Sequence, residues 1–462
     1  MIDKLITIVL FILFVAACGQ TASVCAQSQP SFQITEESLG KLLKMPDLSA
    51  RLASRDNRHF AYIASVGGKA VVVWDGKQGP KYDSIVKHTL SFSPDSQRLV
   101  YAARRNGNLF LVLDQTEQLL TGDLAPPSFN RNPLLSADGR HVACILNQNN
   151  KVVVLRDGVV SQPYDRIVFA AFSPDNQRFL YTATNGQESF VVVDGVEGKH
   201  YRGLDLPQFS ADTKLVVYSA QTGSGTLIVV NEQEGKLYPM FGSFNISADS
   251  KHIAYLGVNA QKLSLIIVDG VEGKPYEAIS EFKLSSDANK VAFIASHTPS
   301  SSFVVVNGVE HQAYPVIVGL TLSPNGESLA YRAHKQAGDV VVLNDVESNV
   351  FKTIEHQSMV FSPDSKRLAF KVISGSQESI VSDGVSGKKY QGVGYPAFSS
   401  DGKHLAYLGA KGNHWRMVID NKESVTYDSV LNRESLRFDE SGSLYFTAIR
   451  NNEVFRVKCT PN

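Results

Sequence analysis

Read for its apolar positions alone, the chain is a series of short β-branched and aromatic runs broken every eight to ten residues by Gly, Asn or Asp. One stretch shows the scheme. Phe179-Leu180-Tyr181-Thr182-Ala183 is an apolar run, the polar turn Asn185-Gly186-Gln187-Glu188 follows, and Phe190-Val191-Val192-Val193 comes next. Asp194-Gly195 then supplies two residues that tolerate positive φ, as a tight hairpin requires. The chain returns through Lys199-His200-Tyr201 and reaches Phe209-Ser210-Ala211-Asp212. Four short strands separated by turn signals predict an antiparallel meander.

The meander recurs. An acidic or amide residue closes each unit, at Asp56, Asp95, Asp138, Asp175, Asp212, Asp249, Asp287, Asn325, Asp364, Asp401 and Asp439, with gaps of 37 to 43 residues. A strand-rich period near forty is the signature of a β-propeller, one blade per unit. The fold class expected is therefore all-β, a β-propeller of about eleven four-stranded blades. Propellers usually hold about four to eight blades, so the array predicts either one large ring or two propellers of about five and six blades. No linker marks a boundary. Only the second unit departs from the scheme, with Leu119-Leu120 in place of the fourth-strand aromatic and an insertion around Pro126-Pro127. The repeated Asp is expected to accept backbone N–H bonds in the turn between the first two strands. Copies spread around a ring cannot converge on one metal.

The phrases Phe92-Ser93-Pro94-Asp95, Phe172-Ser173-Pro174-Asp175 and Phe361-Ser362-Pro363-Asp364 are each followed by a basic residue and an Ala-Tyr-like pair. In this the chain resembles the TolB-type, WD-like (PD-motif) propeller repeat, over roughly residues 50 to 458. The resemblance implies the propeller fold. It leaves function open, because such repeats serve transport machinery, peptidase domains and scaffolds alike. TolB-like proteins also carry an N-terminal α/β domain for which this chain has no room, so a role in a Tol system is not expected.

The eleventh unit ends after Val454-Phe455-Arg456-Val457-Lys458, one strand short. Ser31-Phe32-Gln33-Ile34-Thr35 alternates apolar and polar residues and could fill the gap, which would remove exposed strand edges. Thr35 to Lys44 reads as a short helix capped by Thr35. The organisation expected is residues 1–26 as an export signal, 27–47 as an N-terminal segment with closing strand and helix, and 48–459 as the propeller array.

The export signal rests on Lys4 and the unbroken apolar run Leu5 to Ala17, too short to span a bilayer. Val15-Ala16-Ala17-Cys18-Gly19 resembles a bacterial lipobox, in which cleavage before Cys18 leaves its thiol to take a lipid. The rival is ordinary cleavage after Ala26. Both export the chain, to the periplasmic side of the envelope if anchored and otherwise as a periplasmic or secreted protein; only a lipid on Cys18 would bind it to a membrane. Of the other cysteines, Cys144 reads as a buried small hydrophobe, and Cys25 and Cys459 lie near the two chain ends, where an oxidising compartment permits a disulfide.

Charge adds an exclusion. The 45 basic and 45 acidic residues balance and form no stripe, which argues against a nucleic-acid partner. No nucleophile elbow, H-E-x-x-H, C-x-x-C, calcium loop or phosphate loop occurs, so no catalytic residue, metal ligand or cofactor is predicted. His59, His141, His252 and His404 share a turn position with Arg98, Arg178, Arg367 and Lys290, the mark of a solvated site that pairs with carboxylates. In the loops between second and third strands lie Arg104, Arg105, His297, His334, Lys335, Lys411, His414 and Trp415, and these are the candidate binding residues. The function expected is a non-enzymatic envelope scaffold that binds a protein, or a glycan, on this loop face. The alternative is a lyase or hydrolase with a channel-facing site. On the inner strands the notable polar intruders are Glu281, Lys283 and His356, too few to favour it.

Overall fold

The computed structural model describes residues 32–44, 51–125, 132–298 and 300–461. Among them there is no helix. Eleven antiparallel sheets follow one another along the chain, each a four-strand meander. Blade 4 is representative: Arg166–Phe172, Phe179–Asn185, Glu188–Val193 and Val196–Glu197 pair in order. Numbering blades along the chain, eleven separate apolar clusters each fill one boundary between neighbours. Blades 3 and 4, for example, meet through Ile145, Tyr164, Tyr181 and Phe190. The eleventh cluster joins Ile449 and Val454 of the last blade to Phe60, Tyr62 and Val73 of the first. Eleven blades with eleven boundaries close a single ring, which settles the choice between one ring and two.

The closing strand is the N-terminal one, and it is longer than the sequence suggested. Phe32–Lys41 pairs antiparallel with Glu453–Pro461, with a register shift between Ser38 and Gly40. The helix expected from Thr35 to Lys44 does not form. A ten-residue helix interrupted by Gly40 is marginal on its own, whereas the edge at Glu453–Pro461 leaves a row of backbone groups unpaired without a partner strand. The propeller therefore takes in part of the segment expected to stand before it. The signal, Cys18, the Pro126-Pro127 insertion and the Cys25 half of the expected disulfide lie outside the described residues. Cys459 itself is buried against Leu444 and Phe446, and burial pushes its thiol up to about 12.

At nine boundaries the fourth-strand aromatic of one blade meets the second-strand aromatic of the next, mostly edge to face. Tyr82 against Tyr101 (6.1 Å, 81°) and Tyr427 against Phe446 (5.6 Å, 82°) are two of them. Such a pair contributes about 0.5–1.5 kcal/mol beyond its buried area. At the seam Leu39 stands against Tyr62, and at the boundary of blades 2 and 3 both rings are replaced. Leu120 of blade 2 packs with Cys144 of blade 3, so the boundary lacking one ring also lacks its partner.

The repeated Asp does what the sequence reading expected. Ser173 Oγ donates to Asp175 Oδ1 (2.5 Å), which also accepts the Gln177 N–H (3.1 Å), while Ser173 Oγ accepts the Arg178 N–H (2.9 Å). The residue after the Asp turns left-handed, as at Asn176 (φ 65°) and Ser250 (φ 63°). The basic residue that follows is held more tightly than expected: His59 Nδ1 lies 2.6 Å from Asp75 and Arg98 Nε 2.6 Å from Asp114. These turns and the third-to-fourth-strand hairpins share one face of the ring, because connections in a meander alternate ends. The second-to-third-strand loops and the blade-to-blade crossings share the other.

Candidate functional site

The eight loop-face residues predicted from sequence fall in blades 2, 7, 8 and 10 and do not converge. Each has a local partner. Arg104 pairs with Asp123 (2.6 Å), and Arg105 donates to Glu117 (3.0 Å) while lying over the Tyr82 ring. His297 stands 3.6 Å from Glu310 and packs on Phe303. His334 bonds Asp339 (2.8 Å), Lys335 bonds Glu347 (2.7 Å), Lys411 lies 3.7 Å from Glu423, and His414 lies 3.5 Å from Asp428. Trp415 is half-buried beneath Arg433, whose guanidinium sits 4.4 Å from the indole centroid.

Several of these contacts belong to a belt that sequence reasoning missed. A fourth-strand Tyr hydroxyl donates to a Glu on the fourth strand of the next blade: Tyr82 to Glu117 (2.6 Å), Tyr201 to Glu234 (2.9 Å), Tyr314 to Glu347 (2.9 Å), Tyr390 to Glu423 (2.8 Å). At the seam Tyr427 donates to Glu36 (2.6 Å), which also takes a bidentate pair from Arg450 (3.0 and 2.6 Å). The N-terminal strand thus reproduces the fourth-strand Glu of an ordinary blade. Burial works against the Glu36 charge, but Arg450 and Tyr427 outweigh it and hold the carboxyl below its ordinary value.

The irregular part of the molecule is the inner edge. First strands of adjacent blades lie against one another around the channel, as where Glu281 of blade 7 accepts the N–H groups of Gly319 (3.1 Å) and Leu320 (3.3 Å) in blade 8. These strands are bulged or broken at mid-length, and the interruptions differ from blade to blade. Pairing slips by one residue in blade 4, between Ile167 and Phe169, but skips from Glu355 to Val360 in blade 9. In blade 10 it resumes at Ala397 after Val393, and in blade 11 the stretch after Val430 runs to Phe438. The expectation of only three polar intruders is corrected here. Lys87 and His88 in blade 2, Asp205 in blade 5, Tyr395 in blade 10 and Arg433 and Glu434 in blade 11 also sit in these interruptions, and Glu355 in blade 9 stands at the edge of one. They escape a strand-period reading because bulge residues have no period.

From blade 7 to blade 11 the inner edge is physically continuous. Gly319 abuts His356 and Met359, the charges of Glu355 and Glu434 both act on Tyr395, and Gly394 packs on the Arg433 backbone. Burial first, then those two carboxylates, raises the Tyr395 hydroxyl above its ordinary value and keeps it a neutral donor. Behind this edge two blades carry charge where the others are uncharged. The residue after the second-strand aromatic is Arg332 in blade 8 and Lys371 in blade 9, against Ala102, Ile145, Leu256 or Leu408 elsewhere. Lys371 Nζ bonds Glu378 (2.8 Å) and Arg332 stands 3.6 Å from the buried Asp339. Both acids accept a backbone N–H from the next blade, Asp339 from Ile354 (3.0 Å) and Glu378 from Val393 (2.6 Å). This signal was present in the sequence as two basic residues inside an apolar strand pattern. The arrangement can recognise polar groups, and no cluster of metal-ligating side chains occurs among the described residues.

The fold so defined is an eleven-bladed β-propeller. No family model matches the chain, and no curated protein does. Among solved structures it is similar to a eukaryotic initiation factor (14% identity, 75% of this chain and 89% of that chain, TM-score 0.38). It is similar too to the Dos1 propeller (11%, 63% and 91%, TM-score 0.32) and to a putative TolB from Agrobacterium tumefaciens (14%, 43% and 83%, TM-score 0.25).

Proposed function

We propose that this chain is an exported, non-enzymatic binding propeller of the cell envelope, built from TolB-type repeats and docking a protein partner along the inner edge of blades 7–11. The observation that carries the reading is where variation sits. Rim, turns and boundaries repeat from blade to blade, while the inner-edge interruptions change in length and charge. Segments anchored at both ends in strands lose little conformational freedom on docking, which favours binding. The loop-face residues His297, His334, Lys335, Lys411, His414 and Trp415 of blades 7, 8 and 10 would form the outer border of that surface, and Arg104 and Arg105 of blade 2 stand apart from it. Cys18, lipidated, would tether the ring on the periplasmic side.

A photo-crosslinking residue at Gln357, exposed in the blade 9 bulge, tests the reading against one at Val271, 72% exposed on the rim. In intact envelopes the first should yield one discrete protein adduct and the second none. Equal labelling at both positions would refute an inner-edge partner. Intact mass with and without Cys18→Ala tests the tether. A lipid increment on the unaltered chain alone supports it, and a mature chain starting at Gln27 excludes it.

A further inference from the structure

On the opposite face, a groove of about 770 Å³ opens between blades 9 and 10. It is walled by the hairpin from Ser382 to Gly387 on one side, and by Asp401 to Leu405, Tyr407 and Asn421 on the other. The volume lies within the ~300–1,000 Å³ of small-molecule sites. Its origin is legible in the repeat. The residue before the hairpin Asp or Asn is Trp74 in blade 1, Leu113 and Leu343 in blades 2 and 8, Ile419 in blade 10, Arg156 in blade 3 and valine in blades 4 to 7. Only blade 9 has a small polar residue there, Ser382. The corresponding notch between blades 1 and 2, walled by Trp74, holds about 280 Å³.

The second observation is Tyr407. Its side chain is 2% exposed, it lines the groove, and its buried hydroxyl has no hydrogen-bond partner. Two equivalent tyrosines are satisfied, Tyr218 donating to Glu232 (2.9 Å) and Tyr62 accepting the Leu43 N–H (3.2 Å), while Tyr331 of blade 8 shares the unpartnered hydroxyl without a polar Ser382-like gap beside it. In blade 10 Asn421 takes the place of Glu232 and leaves the phenol open. A buried hydroxyl without a partner costs free energy that a ligand hydroxyl would recover.

The charges around the groove select the ligand. Arg367 is tied to Asp383 (2.8 Å), to Ser382 Oγ (3.2 Å) and to the Lys403 carbonyl (2.8 Å). His404 is tied to Asp420 (2.6 Å), and Lys403 lies 3.3 Å from Asp401. Each basic group has its own carboxylate, so the mouth offers both donors and acceptors, with no unpaired cation to draw an anion. Beneath lie the apolar Ile380 and Leu405, both buried. We propose that this groove binds a neutral polyhydroxylated ligand, a sugar ring whose C–H face rests on Ile380 and Leu405 and whose hydroxyls meet Tyr407, Ser382 and the paired charges.

The test uses the methyl glycosides of glucose, galactose, mannose and N-acetylglucosamine, each titrated into the full chain by saturation-transfer NMR and calorimetry. At least one should bind saturably. Ser382→Leu, which restores the side chain of blades 2 and 8, should abolish that binding. Tyr407→Phe, which installs the residue found at this position in blades 7 and 9, should weaken it about tenfold, equivalent to ~1.4 kcal/mol, while leaving the thermal midpoint unchanged or higher. Absence of saturable binding by all four glycosides would overturn the proposal. So would binding indifferent to both substitutions, or binding of inorganic phosphate alone that Tyr407→Phe abolishes. The groove and the inner edge lie on different parts of the ring, so Gln357 crosslinking is unaffected by either variant whichever way this test falls.

Discussion

The closing seam makes Gly76→Ala and Gly270→Ala an informative pair. Both glycines occupy the second hairpin position at nearly the same left-handed φ, +78° and +82°. An alanine there carries a backbone strain of about 1–2 kcal/mol at either site. The surroundings differ. A methyl on Gly270 meets open space, whereas one on Gly76 would stand 2.2 Å from the Leu39 carbonyl oxygen and 3.1 Å from its carbon. These are backbone atoms of the closing strand and cannot rotate away, so Leu39 must shift. It is 9% exposed and belongs to the cluster of Phe60, Tyr62, Val73 and Val454. Unseating a buried leucine costs about 1.5–3 kcal/mol. The difference between the two variants should therefore be ~1.5–3 kcal/mol, and the seam should open about 10- to 150-fold more often. Native-state hydrogen exchange reads this directly. In Gly76→Ala protection should fall across Phe32–Lys41 and Glu453–Pro461 and hold in blade 6, and Gly270→Ala should leave both seam strands protected. Equal protection of the seam in the two variants would refute the claim that the N-terminal strand latches the ring through Leu39.

Ser173→Ala removes a buried hydroxyl that bridges Asp175 and the Arg178 N–H, and should lower unfolding free energy by about 1 kcal/mol in urea titration. Lys371→Met strips the half-buried Glu378 of its cation and should cost about 2–3 kcal/mol, less than the full penalty for a buried pair because 14% and 20% of the two side chains remain exposed. The double variant with Glu378→Gln should recover part of that loss. Acid should weaken the belt. The Tyr390 hydroxyl, aided by Arg416 and despite some burial, holds Glu423 at about 2 against an ordinary 4.5. A carboxyl depressed on folding stabilises above its unfolded value and ceases to as pH falls through its folded one. The urea midpoint should therefore decline between about pH 4.5 and 2, with a shallower decline in Glu423→Gln.

What was legible in the sequence follows from what repeats. The apolar–aromatic–small phrase of the second strands and the Asp-Gly hairpins recur at near-constant spacing, so blade count and strand order could be read from period alone. The helix expected from Thr35 to Lys44 fails for the complementary reason. Local propensity cannot register that Glu453–Pro461, far along the chain, presents an unpaired edge. The Tyr–Glu belt was hidden because its members are one blade apart, as Tyr201 and Glu234 are, and each looks like an ordinary rim residue alone. Ser382 was visible, though only as one polar letter among valines, and its consequence is a volume that no linear pattern encodes.

The division between a uniform rim and a variable inner edge also bears on how such a ring acquires specificity. A change at a blade boundary is felt by two blades at once. Where Leu120 replaces the fourth-strand aromatic of blade 2, Cys144 replaces the ring that it would have met. Inner-edge bulges escape that constraint, because their backbone demands can be met within reach. Thr89 Oγ1 accepts the Ala102 N–H (3.0 Å) in blade 2, Asn132 Oδ1 the Ile145 N–H (3.1 Å) in blade 3, and Ser358 Oγ the Lys371 N–H (2.8 Å) in blade 9. Three different side chains thus solve one problem, the second-strand N–H that the broken first strand no longer satisfies. With that group satisfied, the residues between the anchors are free to differ in length and charge without loss of the ring. The Arg332–Asp339 and Lys371–Glu378 pairs extend the same logic by one layer, each fixing the start of the next blade's inner strand through Ile354 or Val393. Blades 8 to 10 are therefore where position and charge are set together, and a partner recognised at this edge would be read there first.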